Sequence, residues 1–243
     1  MAEPSPAPGG PALAGSYARW RSRRLGQVTD RLQETLVLEL LGPVADCDVL
    51  DVGCGDGALA ATLSRRGARM VGLDPDPRML AAARGRAEAG SLGLTLVPGR
   101  AEALPFPAAT FDRVVAVTAL CFVPEADRAV AEMVRVLRPG GRLVLGELGR
   151  WSIWAAIRTV RGWLGAPTWR AAHFRSAADL RRLVERHGLT VGETRGSTFY
   201  PPLDVAAALM ERCDPWLGRR TTVGAAFVAL SAARPGGRHP SST

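Results

Sequence analysis

A short apolar run that ends directly in three closely spaced glycines constrains this chain more than any other feature. Residues 48–52 read Asp-Val-Leu-Asp-Val, and Gly53, Gly55 and Gly57 follow with GxGxG spacing. The apolar run predicts a buried strand, and the glycines let the backbone approach a ligand with no Cβ in the way. Because residues 57–66 then have helical periodicity, the segment predicts the strand, glycine loop and helix of an α/β fold.

The alternation of strands and helices continues along the chain. Further strands are predicted at residues 69–73, 94–97, 111–117, 142–148, 189–194 and 225–232, and helices at 16–41, 77–89, 125–137, 177–186 and 205–212. This pattern predicts a Rossmann-like, mostly parallel sheet with helices on both faces. We expect residues 1–15, which are rich in Pro, Ala and Gly, to be a disordered tail.

Composition excludes several classes of protein. The chain has 243 residues, of which 47% are hydrophobic, and this suits one α/β domain over residues 16–243. The four cysteines lack the spacing of metal ligands, so we predict no metal site. No apolar run reaches the ~20 residues of a membrane span, and the N-terminus lacks the features of a secretory signal. We therefore expect a cytoplasmic protein.

Two acidic residues indicate what the glycine loop binds. Asp51 precedes the loop, and Asp74 ends the second predicted strand. A carboxylate at the end of that strand can accept both hydroxyl groups of a ribose. Nicotinamide dinucleotide folds use GxGxxG, whereas the third glycine here comes one residue earlier. An acid directly before the loop favours a ligand with an ammonium or sulfonium group over a pyrophosphate.

Four segments in this order, DVGCGDG, GLDPDPRML, GRAEALPFPAATFD and EMVRVLRPGGRLVLGEL, resemble the class I S-adenosylmethionine-dependent methyltransferases. The similar subgroup acts on small molecules and includes the ubiquinone and menaquinone C-methyltransferases. The resemblance spans residues 47–148, the predicted cofactor-binding core, with residues 16–42 as an N-terminal helical segment and 176–233 as the C-terminal part of the sheet. It implies seven strands, with the last strand, at 225–232, reversed.

The resemblance also implies a set of residues around S-adenosylmethionine. Asp51, Gly53 and Gly55 surround the methionine part, and Asp74 binds the ribose. The complete set of implied cofactor-binding residues is Asp51, Gly53, Cys54, Gly55, Gly57, Asp74, Pro75, Met79, Ala101, Glu102 and Thr118. Related proteins often have Asp where Arg100 stands, so adenine recognition falls to the Ala101 backbone and Glu102. They often have His where Cys121 stands, so a substrate contact made by that His is not expected here.

On the acceptor side, methyl transfer from a sulfonium is an in-line displacement that needs alignment and exclusion of water. A general base helps only where the acceptor must lose a proton. Our candidate catalytic residues are Glu147, which ends predicted strand five, His173, and Tyr17, which resembles the aromatic N-terminal segment that closes over the cofactor in this subgroup.

Residues 150–175 interrupt the alternation and predict a helical cap inserted after strand five. This segment holds four of the six tryptophans. Residues 150–195 contain nine arginines and only three acidic residues. Such a cap would enclose a small apolar or aromatic acceptor. Its stripe of Ile153, Ile157, Val160 and Leu164 predicts a helix packed on the core, or else an interfacial helix that suits a lipid-like or quinone-like acceptor.

Two other functions stay open at this point. The first is a tRNA or rRNA methyltransferase that uses the basic cap, although no RNA-binding module is evident. The second is a cofactor-binding partner protein without catalysis, because an intact binding loop does not establish turnover.

Overall fold

The structure, a computed structural model, describes Trp20 and residues 22–236. The predicted tail 1–15 and Tyr17 lie outside these residues. The strands are β1 Asp48–Val52, β2 Arg69–Asp74, β3 Leu94–Pro98, β4 Phe111–Val117, β5 Leu137–Leu148, β6 Thr190–Ser197 and β7 Phe227–Ala233. The helices are α1 Arg24–Leu41, α2 Ala58–Arg65, α3 Pro77–Ala89, α4 Ala126–Val136, α5 Ile153–Trp163, α6 Pro167–Arg170, α7 Ala177–Arg186, α8 Asp204–Met210 and α9 Asp214–Gly218.

All seven strands form one sheet in the order β3-β2-β1-β4-β5-β7-β6. The first five strands pair in parallel, and β7 runs antiparallel to both β5 and β6. The predicted sheet with a reversed last strand is confirmed. The predicted domain boundaries stay a prediction.

Apolar side chains cover the sheet on both faces. On one face, α1 and α2 pack against β1 and β5, with Leu40, Leu63 and Val144 in one cluster. On the other face, α4 and α7 bury Met133 and Leu180. Because β1 and β4 lie in the centre with helices on both sides, the loops after their carboxyl ends are rigidly supported. Open α/β sheets bind ligands at this edge.

Two elements begin at least five residues away from their predicted starts. Strand β5 starts at Leu137 instead of residue 142, since Leu137 pairs with Phe111 before Arg142 pairs with Arg113. The residues between the two pairs form a bulge, in which Gly140 has a φ of +78°. Helix α1 begins at Arg24, later than the predicted residue 16, and the intervening residues lie mostly outside the described part of the chain.

The prediction that the aliphatic stripe of α5 packs on the core is wrong, because the stripe faces away from the core. Ile153, Ile157, Val160 and Leu164 are exposed. The buried side carries Trp154, whose indole packs with Leu25 and Val28 of α1 and donates a hydrogen bond to the carbonyl of Tyr200 at 2.7 Å. The physical reason is the large indole, which gains more burial and a polar partner than the stripe offers.

Candidate cofactor and acceptor site

The glycine loop after β1 lies against the end of β2. The N–H groups of Gly53 and Cys54 both donate to the carbonyl of Leu73, at 2.7 and 3.0 Å. Gly53 and Gly55 have φ values of +76° and +54°, a region that side chains other than glycine rarely adopt. A Cβ on Gly53 would lie 2.7 Å from the Cβ of Ala119, whereas a Cβ on Gly55 would meet nothing within 4 Å. The space over Gly55 is therefore open to a ligand.

Asp74, the last residue of β2, is buried and holds the glycine loop. One carboxylate oxygen accepts from the N–H of Gly55 and the other from the N–H of Asp76, both at 2.9 Å. Burial raises the pKa of Asp74, and these two hydrogen bonds oppose that rise. A carboxylate has about four lone-pair sites. The remaining lone pairs can accept two ribose hydroxyl groups while the loop stays anchored.

Asp51 is a buried carboxylate with only 2% of its surface exposed. Burial, together with the nearby negative charge of Asp74, raises its pKa to about 7. No arginine or backbone donor among the described residues offsets this effect. A buried carboxylate in this state is costly unless it pairs with a cation. The site is thus electrostatically prepared for a positively charged ligand group, as the ammonium of S-adenosylmethionine would be.

Residues after β2 and β3 border the same edge. Pro75 is exposed directly after β2, and Met79 is half-buried in the first turn of α3. In the loop after β3, Ala101 is buried and Glu102 lies 3.4 Å from Arg100 as an ion pair. These four residues therefore follow adjacent strands of the sheet, as their predicted roles around the adenine require.

The rest of the glycine loop packs inward. Cys54 is buried against β2, where a Cβ on Gly72 would lie 2.9 Å from its sulfur. Burial raises the pKa of this thiol, which is therefore neutral. Gly57 has a φ of +72°, and a Cβ there would lie 2.9 Å from the Cβ of Ala83 in α3. Both residues thus shape the loop, and neither provides a charge for a ligand.

A tight turn follows β4 and completes the edge. Thr118 has a φ of +50°, and its N–H donates to the carbonyl of Gly146 in β5 at 2.6 Å. The next residue, Ala119, packs under Gly53 of the glycine loop. The turn after β4 is therefore in direct contact with the loop that would hold the cofactor.

Glu147 anchors this turn from β5. Its side chain is fully buried, and its Oε1 accepts from the N–H of Leu120 at 2.9 Å. Its Oε2 has no hydrogen-bond partner and lies 3.7 Å from the guanidinium of Arg175. Burial raises the pKa of Glu147 to about 7, and the charge of Arg175 opposes the rise. In this conformation Glu147 positions the turn, and its predicted role as a base stays a prediction.

The 150–175 segment is attached to the turn by its last residues. The N–H of His173 donates to the carbonyl of Cys121 at 2.8 Å, and Arg175 donates to the carbonyl of Leu120 at 2.9 Å. The His173 side chain is exposed. Sequence reasoning missed Arg175, since only the tertiary structure shows that the residue before the α7 capping box reaches β4 and β5.

Arg158 is the second arginine near this turn. It lies on the inward side of α5, where its guanidinium carbon is 5.1 Å from the ring centroid of Trp154 and 4.9 Å from that of Trp169. Its charge acts on the thiol of Cys121, as does that of Arg175. The sequence identified Arg158 only as part of a basic segment.

Two other features, a metal site and a membrane-spanning helix, are absent from Trp20 and residues 22–236. In that part of the chain, no three His, Cys, Asp or Glu residues come together as a metal site would require. None of the helices there has the length and hydropathy that a bilayer crossing requires.

Residues 50–145 match the family described as "Methyltransferase domain". The chain is 32% identical over 164 residues to a ubiquinone biosynthesis O-methyltransferase of Methylobacterium sp. (strain 4-46), covering 65% of this chain and 66% of that protein. It is 41% identical over 110 residues to the demethylmenaquinone methyltransferase of Tropheryma whipplei (strain Twist), covering 45% of each. The chain thus matches about two thirds of the first relative's length and less than half of the second's.

A solved structure from Thermotoga maritima has the same fold. It is described as an S-adenosylmethionine-dependent methyltransferase and possible histamine N-methyltransferase, with 26% identity, a TM-score of 0.73, and coverage of 92% of this chain and 97% of that one. The glycine loop, the unpaired Asp51 and the anchored Asp74 fit the cofactor of these proteins. The chain belongs to the class I S-adenosylmethionine-dependent methyltransferases.

Proposed function

We propose that this chain transfers the methyl group of S-adenosylmethionine to a small aromatic, quinone-like acceptor. The observation that carries the proposal is a buried carboxylate without a cation, Asp51, next to an open glycine loop and to Asp74 with unused lone pairs. The relatives that act in ubiquinone and menaquinone synthesis support the acceptor class.

Different residues bind different parts of S-adenosylmethionine. Asp51 pairs with the ammonium of the cofactor, and Asp74 accepts the ribose hydroxyl groups. Pro75 and Met79 flank the adenine, with Ala101 and Glu102 at its edge. When bound, S-adenosylmethionine supplies a methyl group already activated by a sulfonium, so the protein needs to align the acceptor and exclude water.

The 150–175 segment forms the part of the proposed site that binds the acceptor. Trp154 and Trp169 lie on the inner side of α5 and α6, and the bonds of His173 and Arg175 tie the segment to the turn after β4. We therefore assign it the role of a cap that encloses the acceptor and keeps water out of the displacement.

A methyl-transfer assay with labelled S-adenosylmethionine tests this function. The acceptors compared are a hydroxylated benzoquinol, a naphthoquinol, histamine and unmodified tRNA. Transfer to a quinol supports the proposal. Transfer to tRNA alone, with an affinity that falls with a log–log salt slope of about −0.7 per phosphate contact, would replace it with the RNA alternative. Cofactor binding without transfer to any acceptor would favour the non-catalytic alternative.

We further propose that the outward face of α5 contacts a membrane surface from which an apolar acceptor is taken. This face carries Trp163 and Leu164, which are 81% and 82% exposed, beside Ile157 and Val160. Residues 150–175 contain five arginines and no acidic residue, a charge that complements anionic lipid. A cytoplasmic location stays a prediction.

Vesicle sedimentation tests the membrane contact. The protein should sediment with vesicles that contain phosphatidylglycerol, and a double variant, Trp163→Ser with Leu164→Ser, should stay in the supernatant. Val223→Ser, which removes an exposed apolar side chain elsewhere, is the matched control. Equal sedimentation of all three proteins would contradict the proposal.

A further inference from the structure

Helix α5 has the reverse of the usual distribution of polar residues. Its outward side exposes Ile153, Ile157 and Val160, whereas Arg158 lies on the inward side with Trp154 and Ala155. A surface helix normally turns its arginines to the solvent and its aliphatic side chains to the protein. The inward position of Arg158 therefore costs free energy that must be recovered by a contact.

The contacts of Arg158 within the protein are with aromatic rings and not with an anion. The ring centroids of Trp154 and Trp169 lie 5.1 and 4.9 Å from the guanidinium carbon. No carboxylate among the described residues acts on it, and the neighbouring Arg161 adds a second positive charge. Burial lowers the pKa of Arg158 to about 10, so the guanidinium still carries its charge at neutral pH.

Other arginines of the 150–175 segment differ from Arg158 in this respect. Arg150 lies 3.8 Å from Asp179, and Arg175 lies 3.7 Å from Glu147. Arg161 and Arg170 are exposed, where water solvates the charge. Arg158 alone among these five combines an inward position with the lack of a carboxylate in the described part of the chain.

The position of Arg158 places this unmatched charge beside the cofactor edge of the sheet. The 150–175 segment that carries Arg158 is tied to the turn after β4 by the hydrogen bond from the N–H of His173 to the carbonyl of Cys121, and two residues earlier in that turn Ala119 packs under Gly53. An acceptor aligned with a methyl group held at the glycine loop would therefore lie between that loop and α5.

We propose that Arg158 binds a negatively charged oxygen of the acceptor, either a carboxylate or an ionised ring hydroxyl. This inference rests on the proposed methyltransferase function and narrows its substrate class to anionic aromatic molecules. A guanidinium offers a planar fork of donors that matches such oxygens, and its cation–π contacts with the two indole rings help to hold it in place. Trp154 and Trp169 also provide apolar surface for the ring of the acceptor.

Binding measurements in the presence of S-adenosylhomocysteine test this inference without turnover. The probes are 3,4-dihydroxybenzoate, its neutral amide, and 4-nitrocatechol, whose absorbance reports whether its hydroxyl group is ionised. The variants are Arg158→Gln, Arg158→Lys, which keeps the charge, and Arg161→Gln, the matched control on the outward side of α5. Affinity for S-adenosylhomocysteine itself shows that each variant is folded.

If a carboxylate is the partner, the wild-type protein binds the benzoate about tenfold or more tightly than the amide, and Arg158→Gln abolishes the difference. If an ionised hydroxyl is the partner, the pKa of bound 4-nitrocatechol falls in the wild type and not in Arg158→Gln. Arg158→Lys should keep part of either effect, and Arg161→Gln should keep all of it.

Three results would overturn the inference. The first is that neither 3,4-dihydroxybenzoate nor 4-nitrocatechol binds the wild-type protein. The second is that both of these anionic probes bind Arg158→Gln as well as the wild type. The third is that Arg158→Gln loses S-adenosylhomocysteine binding, which would assign Arg158 to the cofactor. A wild-type protein that fails to bind S-adenosylhomocysteine would contradict the proposed function instead, so the two failures are distinguishable.

Discussion

Cofactor affinity should depend on pH through a single buried carboxyl group, that of Asp51. Its pKa of about 7 means that about half of the molecules have a neutral Asp51 at neutral pH. The ammonium of the ligand favours the ionised form, so binding must release a proton from the neutral fraction. Below the pKa, affinity then falls about tenfold for each pH unit. Between about pH 8 and pH 5, we expect a loss of about 100-fold.

Isothermal titration calorimetry with S-adenosylhomocysteine at a series of pH values measures this slope. Asp51→Asn should bind more weakly at about pH 8 and show little pH dependence. Glu147→Gln is the matched control, because Glu147 is also buried with a pKa of about 7 but anchors the turn after β4. A flat profile in the wild type, or an unchanged slope in Asp51→Asn, would refute the assignment of Asp51 to the ammonium.

The stability of the ligand-free protein should fall as the pH rises, whereas cofactor affinity should rise. The raised pKa of Asp51 means that the folded state disfavours the ionised form, a cost that is absent below the ordinary value of 3.8 and complete above about 7. A shift of this size corresponds to about 4 kcal/mol as an upper bound. Asp51→Asn should therefore raise the free energy of unfolding at about pH 8 more than at pH 5, as urea denaturation can show.

Five further substitutions, at four positions, test the site and the 150–175 segment. Asp74→Ala should weaken S-adenosylhomocysteine binding by roughly 1.5–3 kcal/mol for each charge-assisted hydrogen bond lost, and an unchanged affinity would mean that the ribose lies elsewhere. Glu147→Gln, which can still accept from the Leu120 N–H, should keep much more activity than Glu147→Leu, whereas equal losses would support Glu147 as the base. Trp154→Ala should cost about 3–5 kcal/mol of stability and the exposed Trp163→Ala almost none, as thermal unfolding would measure. We also expect a chelator to leave methyl transfer unchanged, since the displacement needs no Lewis acid.

Local patterns were sufficient to predict the sheet and the glycine loop at its carboxyl edge. The apolar run at 48–52 and the glycines after it are adjacent in sequence, so their geometry depends on few distant contacts. Asp74 was predictable because the end of β2 is always beside the end of β1 in a parallel pair. Its second role, holding the N–H of Gly55, was not predicted, since it depends on the side-chain rotamer.

Helix α5 shows why the 150–175 segment was harder to predict. Its sequence contains two possible inward faces, an aliphatic stripe and the face with Trp154, and periodicity alone favours the stripe. Which face turns inward depends on the contacts of the Trp154 indole with α1 and with the carbonyl of Tyr200. These contacts join residues that are far apart in the chain. Arg158 lies on the same face of α5 as Trp154 and is therefore also directed inward. Its position could not be inferred from the sequence of the helix alone.

Asp51 and Arg158, two inward-facing groups in the described part of the chain, carry charges of opposite sign. Each is costly to the isolated chain, and neither has a counter-charge among the described residues. A cationic cofactor group on one side and an anionic acceptor on the other would satisfy both. Methyl transfer to an ionised hydroxyl removes the negative charge of the acceptor, whereas S-adenosylhomocysteine keeps the ammonium that pairs with Asp51. The attraction to Arg158 would then weaken after the reaction while the attraction to Asp51 persists, and this difference favours release of the methylated acceptor before S-adenosylhomocysteine.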